Sequence, residues 1–230
     1  MQIDILSLFP GYFRSPFESS ILKKAIDSGR ININTIDIRS FSKDKHKRVD
    51  ERPFGGGPGM VMMAEPVLDA VRSVKKEGSW TIYLSPQGKL LNAKKCEELA
   101  KKKHLVLLSG HYEGIDERIM KEVDEEISIG DFVLTNGCIA AILLVDGVVR
   151  FIPEVLGHVD AASMDSFQNG LLKGPQYTRP EEFEGERVPE VLLSGHHAKI
   201  EEWRLNMGLE KTKRVRPDLY EKYCLEKEIS

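Results

Sequence analysis

The 230 residues carry 33 Lys and Arg against 36 Asp and Glu, a net charge of −3, which excludes indiscriminate polyanion binding but leaves room for local basic patches. Three scattered cysteines, Cys96, Cys138 and Cys224, show neither C-x-x-C nor Cys/His spacing, so no disulfide framework or zinc site is implied and a reducing, cytoplasmic setting is expected. No apolar run reaches membrane-spanning length, and Met1 to Pro10, with an acid at Asp4 and no basic start, reads as a first strand and not as a signal peptide.

Alternating apolar positions predict strands near 2–9, 31–38, 79–85 and 104–109, separated by segments of helical periodicity. The alternation predicts an α/β fold with a mostly parallel sheet covered on both faces. Ser15-Pro16-Phe17-Glu18 combines an N-cap serine, a proline at the first helical position and a glutamate three residues after the cap. It therefore predicts a helix running through Ile21, Leu22, Ala25 and Ile26 and stopping at Gly29.

Arg39, Lys43, Lys45, His46, Lys47 and Arg48 then form a basic cluster, either a solvated face or a phosphate-contacting surface. Three consecutive glycines in Pro53-Phe54-Gly55-Gly56-Gly57-Pro58-Gly59-Met60 cost backbone entropy on ordering. A fresh helix is expected after Val61-Met62-Met63, so a loop facing a ligand or partner is favoured over a linker. Ser85-Pro86-Gln87-Gly88 follows the strand ending at Leu84, and Asn92 is placed to cap a helix bearing Ala93, Cys96 and Leu99.

Residues 109–118, Ser-Gly-His-Tyr-Glu-Gly-Ile-Asp-Glu-Arg, and 127–137, Ile-Ser-Ile-Gly-Asp-Phe-Val-Leu-Thr-Asn-Gly, read as further strand-end loops. In open α/β sheets ligands gather at the carboxyl ends of strands. Glycines there let bare N–H and C=O groups approach a nucleoside. Neither G-x-G-x-x-G nor G-x-x-x-x-G-K-[ST] occurs, so such a ligand would be held without those phosphate motifs. Glu113 sits inside its loop as a functional candidate, whereas Asp116 and Glu117 equally suit the start of a helix. His111, with no partner in sequence, reads as a hydrogen-bonded surface group or a base.

From Ile139 to Ile152 only Asp146 and Arg150 interrupt an apolar run, which predicts a buried helix with the two charges one turn apart. Past Pro153 the small, polar stretch around Gly157 to Ser166, which contains Asp165, reads as a linker or mobile loop. Helical stretches are expected near 196–207 and 217–226, and Lys211, Lys213, Arg214 and Arg216 form a second basic cluster.

The ordered blocks Ser7-Leu8-Phe9-Pro10, Gly55 to Met60, Ser85 to Gly88, Tyr112 to Arg118, Ser128 to Asp131, Asp165-Ser166-Phe167, Tyr177-Thr178-Arg179-Pro180 and Pro189 to Gly195 resemble the bacterial tRNA (guanine-N1)-methyltransferase family of the knotted SPOUT superfamily. The resemblance spans nearly the whole chain. It implies a trefoil-knotted parallel-sheet domain over residues 1–157, an exception to the rule against threaded chains. A flexible linker over 158–170 and a small, mostly helical tRNA-binding domain over 171–230 would follow. It implies S-adenosylmethionine as methyl donor, magnesium dependence with no protein cage legible here, a homodimer whose sites use both subunits, and the tRNA anticodon arm as partner.

Carried onto this chain, cofactor contacts fall on Leu84, Ser85, Pro86 and Gly88, on Gly110, Tyr112 and Glu113, and on Ser128, Ile129, Gly130, Asp131, Phe132, Val133, Leu134, Asn136 and Gly137. The implied activity methylates N1 of the guanosine 3′ of the anticodon, position 37, where a guanosine precedes it. Asp165 would be the base for N1 and Arg150 the cation beside O6, with Asp165 positioned only once tRNA binds. The chain departs from the family's Thr-Gly-Gly-Glu at Thr135-Asn136-Gly137-Cys138. Asparagine would let that loop survive by tolerating left-handed backbone angles. His111 is often arginine in the family. Alternatives are a knotted methyltransferase for another RNA base, against which Asp165-Ser166-Phe167 and Tyr177 to Pro180 argue, and a non-catalytic RNA-binding relative, hinted at by Asn136 and Cys138.

Overall fold

A computed structural model describes residues 1–157 and 161–229, and the chain divides into two compact units, Met1–Val159 and Asp160–Ser230. In the first unit, strands β1 (Gln2–Ser7), β2 (Asn32–Asp37), β5 (Ser79–Leu90), β6 (His104–Ser109) and β7 (Glu125–Ser128) form one sheet in the order β2-β1-β6-β5-β7, every pair parallel. A short antiparallel hairpin, β3 (Asp50–Glu51) and β4 (Val61–Met62), carries the glycine-rich loop at its tip.

Side chains alternate between the two faces of the sheet, as strand geometry demands. Ile3, Ile5, Leu105 and Leu107 face one core with helices α2 (Ser20–Asp27), α4 (Ala93–Ala100) and α5 (Cys138–Val149). Leu6, Leu8, Val106 and Leu108 face the other with α3 (Ala64–Val74). Burial on both sides explains the apolar run of the central strand β6, whereas the edge strands β2 and β7 carry polar and charged residues. Asn92 caps α4 as expected, its Oδ1 accepting from the Lys95 amide at 2.9 Å. A Cβ on Gly147 would come within 2.9 Å of Cys96 Sγ, so this glycine sets the close approach of α5 to α4.

Three expectations change. The helix read from Ser15 is a short turn, α1 (Arg14–Phe17), and the main helix begins only at Ser20. Ser19 is extended and Ser20 has φ +52°, while the Ser19 hydroxyl donates to the Ser15 carbonyl at 3.1 Å, so a side chain competes with helix continuation. The strand read as ending near Ser85 instead reaches Leu90, pairing with β7 on both sides of an irregularity between Leu84 and Lys89. The fifth strand, β7, escaped the alternation reading because it spans only four residues, two of them glutamates.

The second unit holds the hairpin β8 (Glu182–Phe183) and β9 (Glu186–Arg187), helix α6 (Glu190–Leu193), and the longer helices α7 (His197–Val215) and α8 (Pro217–Ile229). Thr212, fully buried on α7, donates to the Gly208 carbonyl at 2.6 Å and accepts from the Leu172 amide at 2.8 Å, tying the start of the unit to its longest helix. Of the segment read as linker, 158–160 lies outside the described residues. From Ala161 the chain makes hydrogen-bonded turns, the Asp165 amide donating to the Ala162 carbonyl at 3.3 Å and Phe167 to Leu171 at 2.7 Å. Among the described residues no helix is long and apolar enough to cross a membrane.

Candidate active site

The irregular middle of β5, Leu84 to Gln87, and the loops that follow β6 and β7 enclose a cavity of about 460 Å³. The cofactor contacts carried over from the resemblance line it together, except Gly88, Gly130 and Asp131; Arg150 and Asp165 are not part of its lining. The structure adds Tyr83, Gln87, His111, Glu117, Glu126 and Thr135 among others. Tyr83 and Glu126 come from strand interiors, where nothing in their sequence neighbourhood marks them as site residues.

The loops are bound to each other. The Gly137 amide donates to the Gly110 carbonyl at 2.8 Å, and His111 pairs with Asn136 in an isolated antiparallel bridge. A Cβ on Gly137 would stand 2.8 Å from the Gly110 nitrogen, and one on Gly110 would stand 2.9 Å from the Tyr83 ring. Both positions therefore require glycine for contact between backbones and ring. The two glycines outside the cavity lining shape it from behind. Gly88 lets the chain cross β7, where a Cβ would lie 2.4 Å from the Glu126 carbonyl carbon, and Gly130 leaves space for the Phe132 ring.

The glycine-rich hairpin tip packs against the second loop instead of lining the cavity. The Glu113 amide donates to the Met60 carbonyl at 3.0 Å, and a Cβ on Gly59, whose φ is +80°, would collide with the Glu113 side chain at 2.4 Å. Asp116 caps the 3₁₀ turn Glu117–Glu122, accepting from the Arg118 amide at 2.9 Å, and binds the Arg118 guanidinium at 2.7 and 2.8 Å. Its role is thereby accounted for locally.

Burial pushes the Tyr83 phenol up to about 12, with the charges of Glu126 and Glu117 adding to the effect, so it stays protonated. His111 is not the hydrogen-bonded surface group expected. Its ring packs edge-on against Phe9 and Tyr112, at 5.1 and 4.2 Å between centroids, and its Nδ1 is buried without a partner among the described residues. Burial and then the Arg39 charge lower its pKa, against an opposing pull from Asp50.

Asn136 also differs from expectation. It does not take a left-handed conformation; its Oδ1 instead accepts from the Cys138 amide at 2.9 Å, capping the first turn of α5. Cys138, at 1% exposure, lies 3.3 Å from Ser7 Oγ and 3.5 Å from Ser109 Oγ. The two buried hydroxyls thus face a thiol.

Arg150 stands half-buried at the C-terminus of α5 in the first unit, the position read from the sequence. Asp165 lies in the second unit, its Oδ1 3.4 Å from Lys173 Nζ. The first basic cluster is partly neutralised, Lys43 binding Glu65 at 2.7 Å and Arg48 binding Asp44 at 3.2 Å. In the second, Arg216 binds Asp218 at 2.6 Å and Lys213 lies 5.6 Å from the Tyr220 ring centroid. No group of three His, Cys, Asp or Glu suited to a metal occurs among the described residues.

The cavity fits an adenine nucleoside in kind: backbone edges at Gly110 and Gly137, apolar walls at Leu84, Ile129 and Leu134, and an unpartnered buried nitrogen on His111. The family model described as tRNA (Guanine-1)-methyltransferase TrmD matches residues 1–222. A protein of Protochlamydia amoebophila (strain UWE25) named tRNA (guanine-N(1)-)-methyltransferase is 60% identical over 220 residues, covering 95% of this chain and 99% of that protein. Proteins of the same name from Chlamydia trachomatis serovar D and Chlamydia pneumoniae are 60% and 59% identical over 224 and 230 residues, covering 97% and 100% of this chain. The chain spans 63% of the length of each of these two. With a family match over nearly its whole length and relatives of this identity, the chain belongs to the tRNA (guanine-1)-methyltransferase TrmD family.

Proposed function

We propose that this chain transfers a methyl group from S-adenosylmethionine to N1 of the guanosine 3′ of the tRNA anticodon, where another guanosine precedes it. The observation that carries the reading is the cavity built from the irregular middle of β5 and the two loops after β6 and β7, which the Gly110–Gly137 hydrogen bond locks together. When bound, the donor supplies an electrophilic methyl group on a sulfonium. Leu84 to Gln87, Gly110 to Glu113, Ser128, Ile129 and Phe132 to Gly137 would hold it and limit water.

Guanine N1 carries a proton, so its lone pair is freed for attack only as that proton leaves. Asp165 would accept that proton as N1 takes up the methyl group the donor supplies. Negative charge moves toward O6 during this step, and the Arg150 guanidinium offsets it. The Asp165–Lys173 pair is exposed, and such pairs are worth at most ~1 kcal/mol, so an arriving guanine can displace it. Binding of tRNA is what brings the guanine to Asp165. Magnesium has no cage of protein ligands among the described residues, and no step here is routed through it.

The finer architecture is part of the same proposal: a trefoil knot around the third loop, a homodimer with shared sites, and a cytoplasmic enzyme. The dimer reading is supported by Ile139 and Leu143, 40% and 49% exposed on the outer face of α5 beside the exposed Asp146, and by Phe9 and Tyr12, 40% and 44% exposed on the neighbouring turn. Contiguous apolar exposure of this kind marks an interface. The test is methylation of a tRNA transcript by purified protein with labelled donor, mapped to N1 by primer extension. Equal transfer to a transcript whose preceding nucleotide is adenosine would sink the specificity.

A further inference from the structure

The second unit carries a cleft that the methyl-transfer step leaves unused. It measures about 680 Å³ and lies among the segment Pro175 to Arg179, Val188, α6 and one face of α7, a size within the range of roughly 300–1,000 Å³ typical of ligand sites. Ile200, Trp203 and Arg204 are three and four residues apart and so share that face. The Tyr177 and Trp203 rings stand 6.3 Å apart between centroids and are tilted by 51°, an open wedge and not a closed stack. Tyr177 is half exposed.

Charge decides what fits the wedge. Arg179 and Arg204 line the cleft and are exposed, and among the described residues neither guanidinium has an ion pair or side-chain hydrogen bond. Other arginines of this unit, Arg187 and Arg216, do hold carboxylates. Glu181 alone opposes the two cations within the lining. Aromatic faces beside uncommitted, planar cations provide what an unstacked nucleotide needs: ring surface for the base and forked donors for phosphate.

We propose that this cleft is a nucleotide subsite, in which one unstacked base of single-stranded or loop RNA lies against Tyr177 and Trp203 while Arg179 and Arg204 hold adjoining phosphates. The proposal rests on the reading of the chain as a tRNA enzyme and adds to it a second base-binding site remote in sequence from the methyl-donor loops.

The experiment uses the full chain and a short oligouridylate as probe, with inorganic polyphosphate as control. Tryptophan fluorescence should fall saturably with oligouridylate in the unaltered protein, remain unchanged with polyphosphate, and lose its response in Trp203→Phe, which retains a ring for packing. In tRNA methylation assays, Tyr177→Ala should raise KM for tRNA about 10-fold, the order of one base stack, with kcat and donor affinity unchanged. Arg179→Gln with Arg204→Gln should also raise KM and reduce its salt dependence.

Absence of quenching in the unaltered protein, or an unaltered KM in Tyr177→Ala, would overturn the subsite. A change of oligomeric state in Tyr177→Ala would also overturn it, assigning the cleft to a second copy of the chain. Methylation by the unaltered protein reads the proposed function, and quenching at Trp203 reads the cleft, so either can fail alone.

Discussion

The amide of Gly137 donates to the carbonyl of Gly110 across 2.8 Å, joining loops separated by most of β7 and its approach. Any side chain at 137 meets the Gly110 nitrogen and the Ser109 Cα, at 2.8 and 3.1 Å from its Cβ. Gly137→Ala must therefore separate the two loops. We expect donor affinity to fall at least 10-fold while far-UV circular dichroism is retained; an unchanged Kd by calorimetry would show that the joint does not shape the cavity.

Gly88→Ala tests the crossing of β7. Its Cβ would meet backbone atoms of Glu126 and Ile127 at 2.4 Å, and backbone cannot rotate aside as a side chain can. Overpacking of this kind costs on the order of 1–3 kcal/mol. In a protein of this size each kcal/mol lowers Tm by about 2–4 °C, which differential scanning calorimetry resolves. No shift in Tm would mean that the loop relaxes freely.

Asp165→Asn keeps the shape of the side chain and removes its basicity. The expected result is a fall in kcat of about 10²–10⁴-fold, the usual weight of a general base, with donor affinity intact. Arg150→Met should lower kcat without abolishing donor binding. Full single-turnover rates in Asp165→Asn would place the base elsewhere.

His111 gives a pH dependence with a definite sign. Its folded-state pKa is lowered from 6.5, chiefly by burial, so the unfolded chain takes up its proton first as pH falls. The stability it contributes is present above pH 6.5 and is lost as pH falls through the folded pKa. Tm measured from pH 7.5 down to 5 should decline less steeply in His111→Gln than in the unaltered protein. Parallel curves would show that His111 does not carry the dependence.

Leu143→Arg places a charge in the middle of the exposed apolar face of α5. If that face joins two copies, sedimentation velocity should show monomers, and if the two copies share their sites methyl transfer should collapse with it. A variant that remains dimeric would move the interface to another surface.

Much of the first unit was legible because parallel strands and amphipathic helices leave periodic traces. β1, β2 and β6 lie within the predicted ranges, and Asn92 caps α4 as its position suggested. β7 was not legible, since four residues ending a charged segment are too few for a period. The start of α2 was misplaced because the Ser19 hydroxyl donates to the Ser15 carbonyl and Ser20 takes φ +52°, a break that the capping pattern at Ser15 does not signal.

What the sequence determined by itself was the strand–helix alternation, the glycines at the sheet's carboxyl edge and the family to which their order belongs. These are local or linear properties, set by side-chain period and by what a missing Cβ permits. Only the tertiary structure decided that Tyr83 and Glu126 join the cavity, that Gly88 and Gly130 support it from behind, and that Asn136 acts through a hydrogen bond to the Cys138 amide instead of through its backbone angles. Those outcomes depend on which strands become neighbours and how closely their backbones approach, and distance in space leaves no period along the chain.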